Sequence, residues 1–225
     1  MKTMTHTLRA LSLLLSYPDA RLREHLGALA EAIEAEGALP AARRAEVADL
    51  VRAMQRTDGL ELEGRYVELF DSGRSTCLNL FEHVHGDSRD RGPAMIDLMK
   101  TYESAGVFMD MDRELPDHLC VILEFASTQA PATARAFLGE MAHILQSIFS
   151  ALRQRESGYA VLLAAVLELA GQKAEAVEVK PDEPLDEAWA EPEAFGGCDT
   201  RGQAAPGTPQ PVRIVRRQNP TGATA

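Results

Sequence analysis

Leucine and isoleucine return every three or four residues through most of this chain, and that spacing limits the fold more than any other feature. Leu8, Leu11 and Leu15 share one helical face, and Leu22, Leu26, Leu29 and Ile33 form a second stripe between Pro18 and Gly37, a usable start and stop. Val47, Leu50 and Met54 mark a third helix from about Pro40 to Thr57. A fourth carries "LELEGRYVELF" up to the turn at Asp71, Ser72 and Gly73. Met95, Leu98, Met99 and Tyr102 stripe a fifth before Gly106, and "LCVILEFA" is apolar nearly all round, the mark of a buried central helix. Phe137, Met141, Ile144, Ile148 and Leu152 predict one more, and Tyr159, Leu162, Leu163, Val166 and Ala170 the last. No window alternates β-branched residues between hairpin turns. The expected class is therefore all-α, a single helical domain of about eight or nine helices over residues 1–172.

Two stretches break the pattern. From Arg74 to Arg91 no helical stripe survives, and "LFEHVHGDSRDRG", Leu80 to Gly92, reads as a polar connection long enough to be functional or wrapped onto the surface. Further on, Pro116 suits the first turn of the next helix, with Asp117 at the positive end of its dipole. After Gln172 the chain turns acidic and proline-broken, then Pro/Gly-rich, so residues 173–225 are expected to form a mostly disordered tail with Trp189 and Phe195 as its aromatic handles.

A net charge of −11 over 225 residues argues against nonspecific nucleic-acid binding and against an anionic membrane surface, and favours a protein partner. Cys77, Cys120 and Cys198 are widely spaced and form no C-x-x-C pair, so neither a disulfide framework nor structural zinc is expected, and a reducing cytoplasm is the default compartment. Arg9 interrupts the apolar run near the N-terminus, no small-residue cleavage site follows, and no segment reaches the roughly 18 apolar residues of a membrane span. A soluble protein, monomeric by preference, is the expectation.

Reactive chemistry is hard to find. Glu82, His83 and His85 supply metal-ligand types, and in an extended chain His83 and His85 would share one side, yet zinc needs three or four ligands. A metal-dependent enzyme built on His83 and His85 is thus the weaker alternative. Asp117 and His118, as helix neighbours, would point about 100° apart and could not align as triad members. Neither a G-x-S-x-G elbow nor a phosphate loop occurs, so no catalytic residue is expected.

The segment "YVELFDSGRSTCLNLFEHVHGDSRDRGPAMIDLMKTYESAG", followed by "DRELPDHLCVILEFAS", closely resembles the nitrate reductase branch of the TorD/DmsD family of redox-enzyme maturation proteins. The likeness covers about residues 8–172, and "ELPDH", Glu114 to His118, corresponds to the broader family signature. The resemblance implies a cytoplasmic chaperone that binds the N-terminal segment of the nitrate reductase catalytic (alpha) subunit. It implies that the apoenzyme is kept open for insertion of molybdenum cofactor and an iron–sulfur cluster, that membrane attachment is delayed, and that the chaperone itself holds no cofactor stably. A chaperone for a related molybdoenzyme with a twin-arginine-type signal peptide is the neighbouring alternative.

Such a peptide presents an apolar helix face and basic residues, so its site needs a greasy groove rimmed by acids. Tyr66, Leu69, Phe70, Phe81 and Leu119 are expected to build the groove, with Asp71, Glu82, Glu114 and Asp117 on its rim and His83 and His118 beside it. Ordinary core packing competes for each apolar member, a turn cap for Asp71 and a helix dipole for Asp117. Arg74, His85, Arg89, Asp90 and Arg91 are expected to scaffold the loop. An unperturbed His118 would titrate near neutrality and alter capture of a cationic peptide.

Overall fold

The computed structural model describes residues 2–86, 88–110 and 114–178. Among them are ten α-helices: α1 (Thr5–Leu14), α2 (Ala20–Glu36), α3 (Ala41–Arg56), α4 (Gly59–Phe70), α5 (Leu80–His85), α6 (Arg91–Ser104), α7 (Leu119–Thr128), α8 (Pro131–Glu140), α9 (Ala142–Gln154) and α10 (Ala160–Leu169). A single 3-10 turn, Arg74–Thr76, joins α4 to α5, and the described residues hold no strand beyond an isolated antiparallel bridge between Asn79 and His118. The expected all-α class is borne out.

Local chemistry sets the helix ends. The Asp19 carboxylate accepts from the Leu22 N–H at 2.7 Å to cap α2, and Asp58 caps α4 through the N–H groups of Leu60 and Glu61. Gly37 ends α2 at φ +62°, a left-handed setting that costs glycine little. Proline opens α8 at its first position, where a missing N–H leaves nothing unpaired.

Long apolar stripes then decide the packing. Leu8, Leu11, Leu14 and Leu15 are fully enclosed where α1 lies along α2 and α7, against Leu26, Ile122 and Leu123. Nearly every residue of α10 is buried as well, with α3, α8 and α9 around it. The expected central helix, α7, therefore shares the core with α10.

Three local expectations differ from the structure. Residues 80–85, placed in a connection without a helical stripe, form α5; only Leu80 of the six is buried, so no stripe exists to be seen. The predicted helix through Phe137 and Leu152 is two, because the chain breaks at Met141, where Phe137, Met141 and Ile144 keep their spacing across the break. Pro116 lies before α7 rather than in its first turn, and His118 occupies the N-cap. The first two account for a helix count above eight or nine. Ala174 packs against the core, and the Val177 N–H donates to Ser150 Oγ at 2.9 Å, which holds the chain after α10 along α9. Trp189, Phe195, Cys198 and the rest of the expected tail lie outside the described residues.

Truncating Leu11 to alanine removes side-chain volume from a fully enclosed position, with an expected cost of about 3 kcal/mol in urea unfolding. Leu13→Ala, two residues away on the exposed face of α1, is expected to stay within about 0.5 kcal/mol of the parent.

Candidate functional site

Asp117 is fully buried, an unusual place for a carboxylate. Its Oδ2 accepts from the Phe81 N–H at 3.0 Å, so it caps α5 from 36 residues further along the chain rather than serving the dipole of its own helix. The two backbones meet at the same point, with Leu80 N–H donating to Asp117 O at 2.9 Å and Leu119 N–H to Leu78 O at 2.8 Å. Arg91, at the start of α6, lies 3.5 Å from Asp117 Oδ2 and 3.7 Å from Glu82 Oε2. Tyr102 donates to Pro116 O at 2.8 Å and ties the end of α6 to the same segment. Removing Arg91 would leave the Asp117 carboxylate buried without its counter-charge, at a cost of roughly 3–5 kcal/mol.

His118 faces the other way. Its Nδ1 accepts from the Cys120 N–H at 3.3 Å as the N-cap of α7, and its Nε2 stands 4.0 Å from Glu114. An accepting Nδ1 requires an unprotonated nitrogen, so the cap belongs to the neutral ring. Burial holds the His118 pKa below its ordinary value, against the upward pull of Glu114, Asp117 and Asp71. The near-neutral titration expected of an unperturbed ring is therefore displaced downward.

Burial pushes the Tyr66 hydroxyl well above its ordinary range, and it donates to Leu15 O at 2.8 Å. Tyr66 sits among rings: Tyr17 at 5.7 Å, Phe70 at 4.8 Å and Tyr159 at 6.1 Å between centroids. Along α4, Glu63, Val67 and Asp71 are spaced four apart and share a flank. Glu63 accepts from Tyr17 Oη at 3.0 Å and pairs with Arg23. Tyr17 is 46% exposed and Val67 40%, so apolar surface lies between the carboxylates of this flank.

The other flank of α4 borders an open groove of about 640 Å³. Leu50, Ala53, Met54, Leu62, Leu69 and Tyr159 give it apolar walls, with Arg65, Glu68, Arg155 and Glu156 among its polar lining. Glu156 closes α9 in a left-handed setting, φ +52°, where its N–H donates to Arg153 O and the Ser157 N–H to Leu152 O. That cap usually takes glycine. Arg155 lies within 2.8 Å of where a methyl on Gly73 would stand.

The predicted site residues thus separate. Glu114 stands 4.0 Å from the half-buried His118, Asp71 is exposed at the end of α4, and Leu69 lines the groove behind α4. Tyr66, Phe70 and Leu119 are buried in the core and support these surfaces from beneath. Phe81, Glu82, Asp117 and Arg91 form the α5–α6 corner, where His85 meets the Phe81 ring edge-on at 5.9 Å. His83 Nε2 donates to Cys77 O at 2.8 Å, and since α5 is helical His83 and His85 point roughly 200° apart rather than to one side. No cluster of three potential metal ligands occurs among the described residues. Arg74 and Arg89 are exposed, and Asp90 exchanges hydrogen bonds with Ser88 just before α6. Burial raises the thiols of Cys77 to about 11 and Cys120 to about 12, which leaves both as poor nucleophiles. Tyr17, Glu63, Tyr159 and Arg155 had not been singled out, because their neighbours come from distant parts of the chain.

An all-helical body of this connectivity has the fold of the redox-enzyme maturation proteins. A solved structure from Archaeoglobus fulgidus, assigned to that class, aligns with a TM-score of 0.53 over 76% of this chain and 96% of its own, at 21% identity. The chain belongs to the nitrate reductase delta subunit family, which it matches over residues 19–165. It is 42% identical over 190 residues, 80% of each chain, to the nitrate reductase molybdenum cofactor assembly chaperone NarJ of Escherichia coli K12. It is also 36% identical to the nitrate reductase-like protein NarX of Mycobacterium tuberculosis, over 69% of this chain and 23% of that one. The resemblance read from "LFEHVHGDSRDRG" and "ELPDH" is borne out.

A histidine held neutral by burial binds its proton more readily when the chain unfolds. Its contribution to stability is complete above a pH of about 6.5 and declines as the pH falls from there toward the lower native value. Urea midpoints measured between about pH 7 and 5 should drop with acidification, and His118→Asn, which keeps a capping acceptor, should flatten part of that slope. An equally steep decline in the variant would exclude His118 as its source.

Proposed function

We propose that this protein is an assembly chaperone for nitrate reductase that holds the N-terminal segment of the catalytic subunit while molybdenum cofactor is inserted. Exposed Tyr17 and Val67 between the carboxylates of Glu63 and Asp71, with Glu114 standing 4.0 Å from His118, carry this reading. Apolar surface between carboxylates suits a helical segment with one greasy face and basic residues at its edge. The family match and the likeness to NarJ support nitrate reductase as the client system.

The protein does its work by binding and release, keeping the apoenzyme open for molybdenum cofactor and an iron–sulfur cluster and delaying membrane attachment. It acts as a cytoplasmic monomer, catalyses no reaction and retains no cofactor. No described helix is long and apolar enough to cross a membrane.

A peptide copying the N-terminus of the catalytic subunit tests the proposal by calorimetry. The parent should bind it, and the double variant Asp71→Asn with Glu114→Gln should bind about tenfold more weakly with a shallower salt dependence. No binding by the folded parent would refute the reading. The volume of the groove behind α4 favours a second placement of the same segment, since about 300–1,000 Å³ is typical of ligand sites. Leu69→Glu decides between them: a loss of about tenfold or more that the double variant does not share would put the segment in the groove.

A further inference from the structure

We propose that Arg91 is a positioning residue for the client surface: through the buried carboxylate of Asp117 it fixes the setting of His118 on the opposite side of the same backbone. For the client this rests on the function proposed above; for His118 it stands on geometry alone.

Asp117 and His118 are consecutive, and His118 has extended backbone angles, φ −69° and ψ 130°. Asp117 itself lies in the turn that the His118 N–H closes on Leu115 O at 3.0 Å, and the two side chains leave it in different directions. Asp117 accordingly reaches the α5–α6 corner, whereas His118 reaches Glu114 and the start of α7. Little slack separates the two, because the bridge to Leu78 and Leu80 clamps the backbone on either side of His118. The Asp117 charge therefore stands at a fixed separation from the imidazole, and Arg91 governs how much of it is countered.

Arg91 controls that carboxylate. Asp117 Oδ1 and Arg91 Nε both lack a hydrogen-bond partner, and they belong to the two members of one pair. Guanidinium Nε and Nη2 match the two oxygens of a carboxylate as a fork. Closing the present 3.5 Å contact by about 0.7 Å would seat that fork and satisfy both atoms. Lysine cannot reproduce it, although it keeps the charge. The groups acting on His118 are Glu114 from its own segment, Asp71 from the end of α4, the adjoining Asp117 and the Cys120 N–H of α7. Arg91 touches none of them except Asp117.

The test is a carbon-13 NMR titration of His118 in the full chain, its signal assigned by loss in His118→Asn. Arg91→Gln should move the midpoint upward, because the negative charge of Asp117 is no longer countered. In an Asp117→Asn background, the same substitution should leave the midpoint where it was. An unmoved midpoint, or a shift that persists in that background, overturns the proposal. Arg91→Lys gives the same readout with the charge retained, should Arg91→Gln fail to fold; a His118 signal identical to the parent's would then count against the fork. Peptide capture, measured where circular dichroism shows each variant folded, should weaken about tenfold in Arg91→Gln. Unchanged affinity beside a shifted titration would overturn the role at the client surface. A parent that ignores the peptide would instead refute the client reading, and the titration would still decide the link between Arg91 and His118.

Discussion

A single carboxylate without access to water organises the least regular stretch of this molecule. Asp117 is stable in its place because three things reach it: the first turn of α5, the guanidinium of Arg91 and a backbone bridge to the segment before α5. A buried charge is tolerated only with such company. Residues 74–104 carry too few apolar side chains to hold themselves on the body, with Leu78, Leu80, Leu98 and Tyr102 as their main buried members. Polar anchoring takes over where hydrophobic burial is thin. The same residue that fastens this corner adjoins His118, 4.0 Å from Glu114, so attachment and the proposed client surface share a backbone.

Helix α4 divides the molecule's two candidate surfaces. Its inward residues, Tyr66 and Phe70, meet edge-on Tyr159, itself part of the groove wall, and Tyr66 also meets Tyr17 on the far side. Glu63, Val67 and Asp71 look one way and Leu62 and Leu69 the other. Rigid rings between two surfaces make α4 a wall rather than a hinge, a build that suits the segment-holding role proposed above.

Helix type and order were legible because long stripes such as Leu22 to Ile33 have no other physical reading. What stayed hidden has definite causes. Six residues with one buried member cannot display a period, so α5 was invisible, and a break that preserves spacing, as at Met141, leaves no mark. At the site, residue types alone pointed to Asp71, Glu114 and His118, of which Glu114 and His118 stand 4.0 Å apart. The part played by Asp117 could not be read, since its partner is a backbone N–H 36 positions upstream and any residue can supply one. Tyr66 and Phe70 looked equally suited to a groove or a core. Only the surrounding helices decide such a question.

Three arginines lie flat against bare glycine backbone: Arg23 over Gly59, Arg155 over Gly73 and Arg135 over Gly171. A methyl group added at Gly73 would meet both the Arg155 guanidinium and the buried Thr76 Oγ1 within 2.8 Å, and the arginine, as the flexible member, has the freer path to yield. One uncharged replacement could thus relocate a cation at the mouth of the groove while every ionisable residue stayed in the sequence. Variation in the electrostatic character of this face can therefore be written in its smallest residues, where a comparison of formal charges would never look.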